Sequence, residues 1–295
     1  MGRPPGAGQA RAVSAEDLDK VMNPTPRVRG LTDRILRGVD RLDWLVGLYR
    51  PYVDGLATLP RDGRFLLVGN HTQAGYPEVL LTPYFTYREL GVRVRPLAER
   101  GFAQLTGFAG DLLAACGAVI GHPDTAAELM RHDQTILVFP GGGREISKFM
   151  GEEYQLRWQG RSGFARVAIA HDYPIVPVGL VGGDDVYRSL NTRDGALGRF
   201  SQAVAQQLSG KSEMAMPLVQ GIGPTLVPRP QRMYLRFGEP IETARPPRRS
   251  AATWEATVKE RTQAALETVL GDLQVVRSTD PYRSLNPLMW RRAVL

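Results

Sequence analysis

The segment that most restricts the fold is Thr135-Ile136-Leu137-Val138 running straight into Phe139-Pro140-Gly141-Gly142-Gly143-Arg144-Glu145. So short an apolar run, ended by proline and three glycines, reads as a buried strand that opens into an irregular loop. Glycines let the backbone turn its N–H groups toward a ligand, and Arg144 adds a forked, permanent positive charge. That combination suits an anion, above all a phosphate. A second junction lies upstream, where Phe65-Leu66-Leu67-Val68-Gly69 ends in Asn70-His71 and Pro77 suits a first helical position. A histidine just past a strand end stands where a general base can act. The two junctions together describe a histidine base beside a phosphate cradle.

Beyond the turn signal Pro60-Arg61-Asp62-Gly63, short apolar runs alternate with helical patterns. Strands are predicted at 65–69, 94–98, 117–121, 135–139, 174–180 and 233–237, and helices at 77–90, 101–113, 124–132 and 162–171. The alternation predicts an α/β fold with a central mixed, largely parallel sheet flanked by helices. Upstream, Leu31, Ile35, Val39, Leu42, Leu45, Val46 and Tyr49 recur at helical spacing among charged residues, so 21–58 reads as an N-terminal amphipathic helical segment. Its helix either lies in a lipid interface, with Trp44 and Tyr49 at headgroup depth, or packs on its own domain. Residues 1–20 read as a disordered tail, 59–245 as the core and 246–295 as a C-terminal helix and tail. That last helix is expected to run from about Ala251 to Leu270, with Gly271 closing it. Ser162 is expected to cap the helix at 162–171, and Tyr154, Leu156 and Trp158 alternate like one face of a strand.

Of the 295 residues, 43% are apolar and 23% charged, ordinary for a globular chain, and the net charge of +7 favours an anionic partner. The arginines are scattered, with no zinc spacing, RNA-motif aromatic pair or basic arm, which argues against nucleic acid and for an anionic membrane surface. No apolar run approaches the roughly 18–20 residues needed to cross a bilayer, and no secretory signal is visible. The expected location is cytoplasmic, peripheral on the inner face of the membrane. The single cysteine, Cys116, follows an apolar run and reads as inert core packing. No metal site is expected, and Asp184-Asp185 reads as a turn or helix cap. His122, His132 and His171 read as structural or surface groups.

Several blocks recur together in a fixed order. They are Val68-Gly69-Asn70-His71-Thr72, Gly117-Ala118-Val119-Ile120, the stretch from Phe139 to Glu145, the run from Tyr154 to Phe164, Pro174-Ile175-Val176-Pro177-Val178, and Phe237-Gly238-Glu239-Pro240-Ile241. In that order they resemble the lysophospholipid and glycerolipid acyltransferase family, nearest its mono- and diacylglycerol acyltransferase branch. The resemblance covers about residues 50–245 and implies a glycerol-3-phosphate acyltransferase-like fold. It also implies transfer of a fatty acyl group from acyl-CoA, or acyl carrier protein, to a hydroxyl of a glycerolipid or lysophospholipid. Acyl-CoA would be a co-substrate, and no cofactor is implied. His71 would be the general base. Backbone N–H groups near Gly141, Gly142 and Gly143 would stabilise an oxyanion or hold a phosphate, Arg144 would bind phosphate, and Glu145 would line the site.

Two positions depart from the family pattern. Where an Asp usually orients the histidine, this chain has Tyr76, and Glu78 stands two residues further on. Tyr76, Glu78 or a distant carboxylate are the candidate partners of His71, and loss of the Asp leaves a catalytically inactive lipid-binding or scaffold protein as the alternative. Where the second block usually carries an Arg, this chain has Gly121-His122, which leans toward a neutral acceptor or toward phosphate binding by Arg157 or Arg161. A serine esterase is disfavoured because no Gly-x-Ser-x-Gly occurs.

Overall fold

The structure is a computed structural model and describes residues 15–99, 101–102 and 105–285. Its centre is three parallel strands, β2 (Leu66–Gly69), β5 (Thr135–Val138) and β6 (Ile175–Val181). Helices cover both of their faces, which is why their sequences are continuously apolar rather than alternating. Leu66, Val68, Ile136 and Ile175 face Leu129 of α5 (Pro123–Arg131), Ala165 and Ala168 of α7 (Gly163–Ala170), and Val258 and Leu266 of α9 (Ala251–Thr279). Phe65, Leu67, Leu137 and Val176 face the other way, with Leu81 and Phe85 of α3 (Pro77–Leu90).

The remaining strands are β1 (Tyr52–Asp54), β3 (Val94–Ala98), β4 (Val119–Ile120) and β9 (Tyr234–Phe237). Among the described residues the seven form one sheet in the order β1-β9-β6-β2-β5-β3-β4, parallel at every pairing except β6 with β9. A separate two-stranded ribbon joins β7 (Arg188–Ser189) to β8 (Val219–Gln220). In register, Val68 lies opposite Val138 on one side and Pro177 on the other. The chain therefore leaves β2, β5 and β6 at one edge of the sheet, where open α/β sheets hold their ligands.

The mixed, largely parallel sheet agrees with the sequence reading, and several local expectations need correction. Residues 15–22 form a helix, α1, where a disordered tail was expected, and Val21 and Met22 pack on the core while Val21 O accepts from Arg95 at 2.9 Å. The rest of that expected tail lies outside the described residues. The amphipathic segment is a longer helix, α2 (Pro26–Tyr49). Its first half packs on α4 (Gly107–Ala115), with Thr32 donating to Ala115 O at 3.2 Å and Arg27 paired with Asp111 at 3.0 Å. Trp44, further along, is exposed. Cys116 is exposed at the end of α4 rather than in the core.

Ser162 occupies the N-cap position of α7, yet its hydroxyl bonds Glu255 instead of the helix. Residues 154–158 are irregular and not a strand, because Tyr154 and Gln159 adopt φ of 62° and 47° and the Tyr154 and Arg157 N–H groups go to carboxylates rather than a ladder. The last helix does not stop at Gly271. It continues to Thr279 because Leu266, Val269, Leu270 and Leu273 form one buried stripe. A solvent-side glycine costs a helix about 1 kcal/mol, less than that stripe returns.

Leu273→Ala is accordingly expected to lower unfolding free energy by about 2–5 kcal/mol in urea titration. A helix ending at residue 270 would instead leave the substitution within about 0.5 kcal/mol of neutral.

Candidate active site

Where β2 ends, Asn70 continues the sheet with its side chain. Its amide donates to Leu180 O at 2.9 Å and accepts from Leu180 N at 2.8 Å, so a buried side chain takes the place of the next ladder pair. The next three backbone N–H groups each meet a different carboxylate. His71 N donates to Glu145 at 2.7 Å, Thr72 N to Glu78 at 2.8 Å, and Gln73 N to Asp184 at 2.7 Å. Buried N–H groups need partners, and carboxylates are the strong ones.

Glu78 also binds the Nδ1 of His71 and, at 2.7 Å, the hydroxyl of Thr72. Glu78 sits in the first turn of α3, where the helix dipole favours negative charge. Residues 72–75 form a turn closed by Gly75 N to Thr72 O at 3.0 Å, and Tyr76 is the non-helical N-cap. Helical spacing therefore does not apply between 71 and 78, and Glu78 reaches a ring that a count along a helix would put out of reach. Tyr76, the other near candidate, is half exposed. With Nδ1 on Glu78, the Nε2 of His71 has no hydrogen-bond partner among the described residues, and the side chain is 14% exposed. The ring stacks on Phe139 at 4.6 Å between centroids, an apolar wall on one face.

Glu145, in the short helix α6 (Gly143–Ile146), ties this histidine to the glycine loop. Fully buried, its carboxylate accepts from His71 N and, at 2.9 Å, from Arg157 N. Burial raises its pKa, and the two amides pull the other way. Each glycine of the loop has its own reason. A Cβ on Gly141 would lie 2.3 Å from Glu145 Cδ, one on Gly143 would lie 2.5 Å from Met214 Cε, and Gly142 has φ +56°. The loop is glycine-rich because a carboxylate and a methionine occupy its side-chain space.

The arginines are engaged with the protein. Arg144 pairs with Glu213, not with the adjacent Glu145. Arg161 donates to the carbonyls of Pro140 at 3.1 Å and Gly141 at 3.5 Å. Arg157 reaches the carbonyls of Arg144 at 3.2 Å and Ser147 at 3.3 Å.

A further cluster, unread in the sequence, supports the histidine from behind. Lys148 and Asp184, both buried, pair at 2.7 Å, and Asp184 holds Gln73 N and Tyr154 N. Gln73 in turn donates to Lys148 O at 3.1 Å and Ser189 Oγ at 2.8 Å. Asp184 is thus more than a cap. Asp185 receives the hydroxyl of Tyr154, whose pKa is pushed up by burial and then by Asp185, so it remains a donor. The sequence offered one signal for the cluster, a lysine between Ile146-Ser147 and Phe149-Met150. His122 caps α5 by accepting from Asp124 N at 3.2 Å, and His132 and His171 end helices.

Residues 50–181, from β1 through β6, match the family model described as Acyltransferase. This stretch belongs to the acyltransferase family. The chain is 30% identical to phytyl ester synthase 2, chloroplastic, of Arabidopsis thaliana over 82% of its own length and 36% of that protein. It is 29% identical to the human DGAT1/2-independent enzyme synthesizing storage lipids over 47% of this chain and 42% of that one. It thus spans about a third of the plant relative and under half of the human one. Among solved structures, the 1-acyl-sn-glycerophosphate acyltransferase PlsC of Thermotoga maritima aligns with a TM-score of 0.42 at 15% identity, over 86% of this chain and 87% of that chain. In the acyltransferase segment, His71 N and the space beside Gly141 both meet the Glu145 side chain.

Two outcomes test this account of the site. Lys148→Met leaves Asp184 buried and unpaired, and is expected to cost about 3–5 kcal/mol in denaturant unfolding. For Glu145, whose folded pKa is raised, the stabilising share is full below the ordinary glutamate pKa and is lost as pH rises through the raised value. Wild-type stability should therefore fall with pH across that window more steeply than that of Glu145→Gln. Parallel pH profiles for the two proteins would contradict the assignment.

Proposed function

We propose that this protein moves a fatty acyl group from a thioester donor, acyl-CoA or acyl carrier protein, to the hydroxyl of an uncharged lipid acceptor. The observation that carries the reading is the His71–Glu78 pair at the shared strand edge, with Nε2 left over to meet substrate. In the reaction Nε2 takes the acceptor's hydroxyl proton as that oxygen attacks the thioester carbonyl. Glu78 stabilises the imidazolium that forms, and the proton then passes to the departing thiolate. Backbone N–H groups of the glycine loop are the nearest candidates for donors to the tetrahedral oxyanion.

An uncharged acceptor is favoured because Arg144, Arg157 and Arg161 already serve Glu213 and backbone carbonyls. The relatives point the same way, since one is named for a phytyl ester and another for storage lipids. A long-chain alcohol fits the first name, and a mono- or diacylglycerol fits the second. The alternative, an inactive lipid-binding member of the fold, rested on the missing Asp at Tyr76, and the Glu78 contact supports the active reading instead.

Purified protein given long-chain acyl-CoA and a panel of alcohols, mono- and diacylglycerols and lysolipids is expected to yield new esters by lipid mass spectrometry. His71→Ala should lower kcat at least about a hundred-fold. Glu78→Gln, which keeps shape and removes charge, should lower kcat with little change in KM. Equal product from wild type and His71→Ala would sink the mechanism, and product only from phosphorylated acceptors would sink the choice of acceptor.

A further inference from the structure

The helix α8 (Ala196–Ser209) turns its apolar side outward. Leu197, Phe200, Val204 and Leu208 follow one another in steps of three and four residues and so form a single stripe. Ordinarily such a stripe is buried, yet here Phe200 is 68% and Leu208 82% exposed. The side turned to the protein carries Gly198, Ser201 and Gln202, with Gln202 donating to Arg193 O at 2.9 Å. Leu197 and Ser201 share a shallow cavity with Met216, Pro217 and Leu218, so the stripe continues onto the irregular segment that leads into β8. After β8 a tight loop, closed by Ile222 N to Val227 O at 2.8 Å, exposes Ile222, Leu226 and Val227. Apolar residues exposed singly are ordinary, whereas a stripe that runs along α8 and on to Met216 and Leu218 marks a contact face.

The surrounding charge identifies the occupant. Arg188, Arg199 and Lys211 are exposed around the patch, and none has a carboxylate within ion-pair distance among the described residues. Between Val186 and Pro230 the only acidic residues are Asp194 and Glu213, and Glu213 is taken up by Arg144. Apolar side chains ringed by unpaired cations suit the headgroup boundary of an anionic membrane. The patch also adjoins the site: Met214 packs on Gly143, and the Ser147 hydroxyl lies 3.3 Å from Met216 Sδ. On the acyl-transfer reading, on which this step rests for its purpose, both substrates carry chains that dissolve in a membrane rather than in water.

We propose that the outward stripe of α8 and the loop after β8 dock the protein on an anionic membrane surface and present the glycine-loop edge to lipid. The test is flotation of the full chain with phosphatidylcholine vesicles, with and without phosphatidylglycerol. Wild type is expected to float with the anionic vesicles and less with the neutral ones. Phe200→Glu with Leu208→Glu should lower the partition coefficient about tenfold or more at an unchanged melting temperature, and Arg199→Glu with Lys211→Glu should remove the preference for anionic lipid. Wild type that stays in the supernatant, or a Phe200→Glu/Leu208→Glu protein that floats as well as wild type, overturns the proposal. So does a wild-type dimer in sedimentation velocity that this double variant dissociates without any flotation, because the face would then join two copies. Turnover of a short-chain, water-soluble donor and acceptor is measured in parallel. Flotation without turnover leaves docking standing and removes the acyl-transfer reading, and turnover without flotation does the reverse.

Discussion

Three consecutive backbone N–H groups, those of His71, Thr72 and Gln73, are each bound by a carboxylate from a different part of the chain. No helix or strand supplies partners there, because β2 has just ended and α3 has not begun. Without those acceptors the segment would carry buried, unpaired donors, each costing on the order of 1–3 kcal/mol. Burying three carboxylates is itself costly, and the structure offsets it unevenly. Asp184 has the ammonium of Lys148, and Glu78 has the imidazole of His71 and the Thr72 hydroxyl. Glu145 relies on two amides, and its raised pKa is the mark of that thinner compensation.

On the proposed reaction, this arrangement prepares the histidine for its role as base. Its backbone is held by Glu145 and its ring by Glu78 and Phe139, so ring orientation is set before any substrate arrives. Preorganisation of this kind removes a cost that a mobile base would meet in the transition state. Glu145 also makes the loop around Gly141 depend on the histidine segment, since its side chain fills the space a Cβ would need at Gly141. One carboxylate therefore sets both halves of the site.

Much of this was legible in the sequence, for a definable reason. β2, β5 and β6 are buried on both faces, so their apolar runs stand out, and the parallel alternation with helices follows from them. His71 and the glycine loop were legible because each follows such a run directly. Glu78 remained one of several partners, since the turn at 72–75 cannot be inferred from helical spacing. The triple glycine suggested an anion cradle, while the space it leaves is filled by Glu145 and by Met214, the latter a contact between positions 143 and 214 that is invisible to local pattern. Lys148 and Asp184 were missed for the same reason: a buried ion pair spanning 36 positions has no periodic signature. Gly271 misled because a glycine usually ends a helix, and only the tertiary stripe through Leu273 overrides it.

The segment 211–218 is where stability, site and surface meet. Glu213 neutralises Arg144, Met214 covers Gly143, and Met216 and Leu218 extend the apolar face of α8. Arg144 is thereby drawn away from the role its sequence position suggests. A guanidinium satisfied by Glu213 attracts a phosphate far less than a free one, because the incoming anion must displace or lie beside a carboxylate. The same contact fastens an outward-facing apolar helix to the loop beside the histidine. On the proposed reading, an enzyme for neutral, chain-bearing acceptors uses both effects at once, a muted positive charge at the loop and an apolar approach to it. Here one stretch of eight residues provides the two together.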